Sequence, residues 1–157
     1  MSALNLKHFL DDQHVKYTSI AHAETYTAQE TAQSAHIPGR EMVKTVIFKA
    51  DGGMAMVILP ATDKVDLGLL ASAIHADSVK LASETEFKRL FPDCETGAMP
   101  PFGNLYDMPV YIEESVCDNT DIAFNAGSHS ELIRISYKDY DRLVHPMNLR
   151  VSRKYTH

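Results

Sequence analysis

Residues 42–61 read MVKTVIFKADGGMAMVILPA, two strongly apolar runs, 42–50 and 54–61, joined by Asp51-Gly52-Gly53. Glycine takes positive φ without a Cβ clash, so this junction between two apolar runs is hairpin chemistry. Neither run alternates apolar and polar residues as a strand with one wet face would, and both are expected to be central strands covered on both faces. Lys44 is out of place in such a segment. Strand parity puts it in the row of Met42, Val46 and Phe48, and an ammonium in an apolar row is costly unless it meets an anion or a carbonyl. Two readings stand. Lys44 snorkels from the start of the strand or pairs with a carboxylate such as Glu41; or it is a fixed cation aimed at a phosphate or at oxygen charge developing in a transition state.

Helix and strand signals alternate on either side. Ser2 can cap a first helix that shares Leu6, Phe9 and Leu10 on one face, and residues 16–22 then read as a strand. Thr27 and Glu30 have capping-box spacing and start a helix that ends before Pro38-Gly39. Asp66 caps a helix through Leu67, Leu70 and Ile74, and Ser83 with Glu86 repeats the capping box ahead of Phe87 and Leu90. Further strands are expected at 78–82, 108–113, 122–125 and 132–136, with a closing helix over 136–144. A hairpin among helix-linked strands predicts an α+β fold: a curved, barrel-like, mixed and mostly antiparallel sheet flanked by helices. No repeat, low-complexity tract or linker interrupts the 157 residues, so 1–157 is read as one domain.

The net charge is −6, which by itself speaks against a nucleic-acid partner. Its distribution changes that reading. Residues 1–133 hold 9 Lys and Arg against 19 Asp and Glu, net −10, whereas residues 134–157 hold 6 against 2, net +4. That segment, ending in a basic tail over about 146–157, is a candidate phosphate-facing patch; the plainer alternative is a solvated helix face and a frayed terminus. No run of about 18 apolar residues suggests a membrane span, and Cys94 and Cys117 form no C-x-x-C, so a cytoplasmic protein is expected. The eight histidines show no H-x-x-x-H or H-E-x-x-H spacing, and neither G-x-G-x-x-G nor a P-loop occurs. No metal, cofactor, DNA or membrane partner is therefore expected.

Two loops carry candidate chemistry. In Gly97-Ala98-Met99-Pro100-Pro101-Phe102 the prolines fix φ and Gly97 lets the backbone approach a ligand, leaving the Gly97 and Ala98 amides to point into a site. Taken alone, such a loop can equally just turn the chain. In Asn125-Ala126-Gly127-Ser128-His129, the Ser-His pair invites a hydrolase reading, but no G-x-S-x-G elbow accompanies it. His129 is better suited to binding substrate or placing water than to acting as a general base.

In this order, TAQETA from Thr27, MVKTVIFK from Met42, GAMPPF from Gly97 and IAFNAGSH from Ile122 resemble the YbaK and prolyl-tRNA synthetase-associated editing domain family over nearly the whole chain. The resemblance implies an aminoacyl-tRNA deacylase with a small pocket in a curved mixed sheet. Lys44 matches the family's strand lysine, residues 97–101 its G-x-x-x-P loop, and His129 a histidine found in part of the family; Thr45 stands where some alanine-specific members carry asparagine. The implied catalytic groups are Lys44, Gly97 and Ala98. Substrate contacts would come from Thr45, Met99, Pro100, Pro101, Phe102, Gly127, Ser128 and His129. The implied partners are the tRNA acceptor end and an aminoacyl-tRNA synthetase. The expected activity is editing in trans of a small mischarged amino acid, alanine on tRNA for proline first, with cysteine, serine and threonine open. The alternative is a non-catalytic module that binds a tRNA 3′ end or an aminoacyl-adenylate.

Overall fold

The computed structural model describes residues 3–22, 35–95 and 97–154. Helix α1 (Ala3–Asp12) buries Leu6 and Leu10 completely, the i, i+4 pair expected to face the core. Strand β1 (Thr18–Ala21) follows. The helix expected from Thr27 lies outside the described residues.

The central hairpin forms as its sequence dictates. Strands β2 (Val43–Ala50) and β3 (Gly53–Pro60) pair antiparallel, from Val43 opposite Pro60 to Ala50 opposite Gly53. The two turn residues, Asp51 (φ 51°) and Gly52 (φ 89°), both lie at positive φ, the backbone whose twist matches that of the flanking strands. The Asp51 carboxylate also accepts the amides of Asp77 (3.1 Å) and Ser78 (2.8 Å), which fixes the chain entering β5 (Val79–Leu81) against the hairpin. Strand β3 is covered on both faces: Met56 and Ile58 are fully buried in the main core, while Val57 is fully buried among Phe48, Leu70 and Val151 on the other side.

Beyond β3 the chain forms β4 (Asp63–Val65), α2 (Leu67–Ile74), β5 and α3 (Glu84–Leu90). Asp66 caps α2 through the Leu69 amide at 3.0 Å, and Ser83 and Glu86 form the expected reciprocal capping box. Then come β6 (Val110–Glu113), β7 (Asp121–Asn125), β8 (Glu131–Ser136), α4 (Tyr137–Val144), β9 (Met147–Leu149) and β10 (Ser152–Lys154). A five-stranded sheet has the order β5-β2-β3-β6-β9, its β3–β6 and β6–β9 pairs parallel, and a three-stranded antiparallel sheet has the order β1-β8-β7. Strands β4 and β10 pair separately. The fold is thus mixed, mostly antiparallel α+β, as expected, and among the described residues its sheets stay open.

Among the described residues, the two larger sheets meet at one parallel bridge, Met42 with Ala123, supported by Ala123 N–H donating to the Glu41 carbonyl (2.9 Å). Met42 and Ala123 are fully buried there with Ile37, Ala61 and Leu132. Within the segment read as a basic tail, residues 147–149 and 152–154 are strands of the fold. Their backbone groups have partners in β6 and β4, which a frayed end would lack. Three arginines of residues 134–157 lie beside carboxylates. Arg134 engages Glu41 and, at 3.7 Å, Asp121; Arg142 lies 3.4 Å from Asp139, and Arg153 lies 3.9 Å from Asp66.

Candidate active site

The loop beginning at Gly97 and the turn carrying His129 are locked together by backbone geometry. Glu95 N–H donates to the Gly127 carbonyl (2.8 Å), and Gly127 N–H donates to the Ala98 carbonyl (3.0 Å). The Glu95 carboxylate then accepts the His129 amide at 3.1 Å. Gly97, at φ +85°, faces the His129 ring so closely that a Cβ there would sit 3.6 Å from its Cε1. His129 is only 6% exposed, although it occupies a turn between two strands. The turn is tightened further by Ser128, whose hydroxyl accepts the Ser130 amide at 3.4 Å.

The rest of the proline-rich loop faces inward. Ala98 and Phe102 are fully buried, Met99 is 4% exposed, and Pro100 and Pro101 are buried. The Phe102 ring makes edge contacts with Phe9, Phe124 and Tyr140. The fully buried Tyr140 donates its hydroxyl to the Pro101 carbonyl at 2.6 Å. These contacts revise part of the expectation. Met99 and Phe102 belong to the main core, because apolar side chains of that size gain more from packing than from a wet site. Ala98 N–H is not open to a ligand either: it donates to the Glu95 carbonyl at 3.0 Å, as part of the turn that presents Gly97. Gly97 is the exposed residue of the loop.

Lys44 is half-buried on β2 and projects with the Met42 row. Glu41, the carboxylate expected within its reach, is engaged by Arg134. Met42 bridges Ala123 in parallel register, which brings the start of the lysine's strand against β7 two residues before Asn125. Asn125 leads directly into the Gly127–His129 turn, so β7 connects the lysine's strand to the clasped loops. Thr45 projects from the opposite face of β2, on the row of Val43 and Ile47, which separates its side chain from that of Lys44.

Glu95 and Asn125 were not among the expected site residues. Asn125 had a usable signal, strand parity with Ala123. Glu95 had none, since its bonds to Gly127 and His129 join segments more than thirty residues apart. Among the described residues, no group of three His, Cys, Asp or Glu side chains is placed to hold a metal ion, and no helix is long and apolar enough to cross a membrane.

Comparison with known proteins converges on one family. The aminoacyl-tRNA editing domain model matches residues 22–143, a span containing Lys44, Gly97 and His129. The prolyl-tRNA editing protein ProX of Acetoanaerobium sticklandii is 25% identical over 141 residues, covering 86% of this chain and 85% of its own. A proline–tRNA ligase of Staphylococcus saprophyticus is 30% identical over 112 residues, covering 69% of this chain but only 19% of the ligase. Among solved structures, one described as a candidate trans-editing enzyme for prolyl-tRNA synthetase superposes with a TM-score of 0.82 at 22% identity, covering 98% of this chain and 97% of the other. At that identity the likeness concerns the fold.

Proposed function

Since the chain belongs to the aminoacyl-tRNA editing domain family, we propose that it is a deacylase acting in trans, which hydrolyses the ester of a small mischarged amino acid, alanine on tRNA for proline first. The observation that carries this reading is the clasp of Gly97 against His129, reached along β7 from the strand beside Lys44. Action in trans is supported by the match over most of ProX, whereas the matched ligases contain this region as a fifth of their length.

In the proposed mechanism, water adds to the ester carbonyl carbon, the carbonyl oxygen takes up negative charge, and collapse expels the ribose oxygen, which gains a proton. The groups needed are donors at the developing oxyanion and a means of holding the acceptor end. Lys44 anchors the terminal phosphate or polarises the ester, the Gly97 amide faces the oxyanion, and His129 places the water or the substrate. The Ala98 amide has no such part, being bonded to Glu95. Its carbonyl instead receives Gly127 and so sets the spacing of the two loops.

A panel of tRNAs carrying alanine, cysteine, serine or threonine tests the activity, with tRNA for proline as the first acceptor. The expected result is selective loss of the alanyl ester; hydrolysis of none would remove the deacylase reading. Lys44→Ala should lower the rate by at least about a hundredfold, the scale of one lost transition-state donor, with an unchanged circular dichroism spectrum. Full activity in a folded Lys44→Ala protein would sink the mechanism.

A further inference from the structure

Strands β4 and β10 form a two-stranded ribbon in which Arg153 lies directly opposite Lys64. Residues paired across an antiparallel ladder project from the same face, and like charges placed there repel. Both side chains are exposed. The neighbouring Ser152 and Asp63 are buried and bonded to each other at 2.8 Å, so the two cations stand on the outer face of the ribbon. Two more cations gather here, around a groove of about 830 Å³ lined by Arg40, Arg150 and Arg153. Arg150 lies in the link between β9 and β10. Arg40 is held beside the ribbon by close packing: a Cβ on Gly39 would sit 2.8 Å from the Thr62 side chain, one residue before β4. Its carbonyl accepts Asn119 Nδ2 at 2.8 Å. Among the described residues, Arg40, Lys64 and Arg150 form no ion pair, and Arg153 reaches Asp66 only at 3.9 Å. Carboxylates line the groove as well, but Asp63 and Glu113 are buried and already bonded to Ser152 and to backbone amides. Glu114 and Asp118 belong to the turn after β6, which leaves the ribbon as the cationic side.

We propose that the β4–β10 ribbon, with Arg40 and Arg150 beside it, is the surface on which the phosphate backbone of the tRNA docks, a placement that rests on the deacylase reading above. Exposed cations that repel one another are stabilised by a polyanion laid across them, and each phosphate they neutralise releases a condensed counterion. The position suits an acceptor arm. Leu59 lies opposite Lys44 across the hairpin, and Lys64 follows Leu59 by five residues, at most roughly 18 Å of extended chain. A tRNA whose terminal adenosine sits at Lys44 has ample length to reach the ribbon. Backbone contacts of this kind position the nucleic acid without reading its sequence. The ribbon thereby supplies affinity for tRNA that a small amino-acid pocket does not, on a chain whose net charge is −6.

The test combines Lys64→Ala, Arg150→Ala and Arg153→Ala in one chain and titrates it with uncharged tRNA for proline at several salt concentrations. Binding should weaken about tenfold to a hundredfold at about 0.1 M salt, and the slope of log affinity against log salt should shrink by about two to three. Unchanged affinity and slope would make these side chains a merely solvated face and overturn the proposal. A companion chain with Lys64→Arg, Arg150→Lys and Arg153→Lys keeps the charges and should bind as the unaltered protein does; a loss as large as that of the alanine chain would point to damaged structure and overturn it too. The second measurement compares kcat/KM on alanyl-tRNA and on the alanyl ester of adenosine alone. The alanine chain should lose activity on the tRNA and keep it on the adenosine ester. Equal losses on both, or none on the tRNA, overturn the assignment. Should the unaltered protein hydrolyse neither ester, the deacylase reading falls, while the tRNA titration still decides whether the ribbon is a phosphate-docking surface.

Discussion

At the scale of single residues, Gly97 is a constrained position in the candidate site. Its φ of +85° is one that L side chains rarely adopt, and the His129 ring occupies the space beside it. The added methyl of Gly97→Ala would make ordinary contact at 3.6 Å, so the cost falls on the backbone. Left-handed strain of this kind is worth about 1–2 kcal/mol. The variant should unfold at correspondingly lower denaturant and, if its loop relaxes to negative φ, lose deacylation through misplacement of its amide. Unchanged activity together with the stability loss would show that the Gly97 amide faces no reacting atom. Lys44 was legible as an anomaly from strand parity alone. The engagement of the Ala98 amide was not, because its acceptor is the carbonyl of Glu95, whose position depends on a turn that proline and glycine content does not specify.

At the scale of elements, the capping residues Asp66, Ser83 and Glu86 and the turn residues Asp51 and Gly52 act where local chemistry assigns them, since each bonds or bends within a few residues of itself. Helix ends were harder to read. Helices α2 and α4 stop at His75 (φ 58°, ψ 40°) and His145 (φ 51°, ψ 55°), left-handed positions where glycine is the usual signal and histidine an uncommon substitute. Helix α4 has a second task, because its buried Tyr140 holds the Pro101 carbonyl across the core. Tyr140→Phe keeps the ring contacts and leaves that carbonyl without its donor. The expected cost is about 1–3 kcal/mol in a denaturant titration, with a slower single-turnover rate as the loop bearing Gly97 loosens. A rate that stays constant while stability falls would assign the tether to the core alone.

At the scale of the whole molecule, Glu113 ties the last strand to the rest. This carboxylate, 4% exposed, accepts Ser115 N–H at 3.0 Å, Val151 N–H at 2.9 Å and Ser152 N–H at 3.1 Å. Burial pushes its pKa up, but the three backbone donors outweigh that and hold it below the ordinary carboxylate value. A depressed folded-state value means that the stabilisation is fully present above the unfolded-state pKa and is lost as the pH falls through the folded one. Glu113→Gln, which turns an amide donor toward backbone donors, should cost about 1–3 kcal/mol near neutrality. The gap in melting temperature between the two proteins should narrow under acid conditions; a gap independent of pH would mean that the charge on Glu113 contributes nothing. Neighbouring Ser152 donates to Asp63 at 2.8 Å, so β4 and β10 share the same buried polar cluster.

The sequence by itself determined the elements whose causes are local: the central hairpin, the capped helices, the α+β class and the anomaly at Lys44. These follow from φ preferences, strand parity and side-chain bonds spanning a few residues. The tertiary structure alone decided that, among the described residues, the sheets stay open and that residues 147–149 and 152–154 are strands. It also decided that Met99 and Phe102 belong to the core, that Glu95 clasps the two loops and that Asn125 keeps an unbonded oxygen beside the strand of Lys44. Each of these depends on which distant backbone group or side chain arrives as a partner. Burial and hydrogen bonding between distant segments are set by how the elements pack together, and no local window of sequence contains both partners.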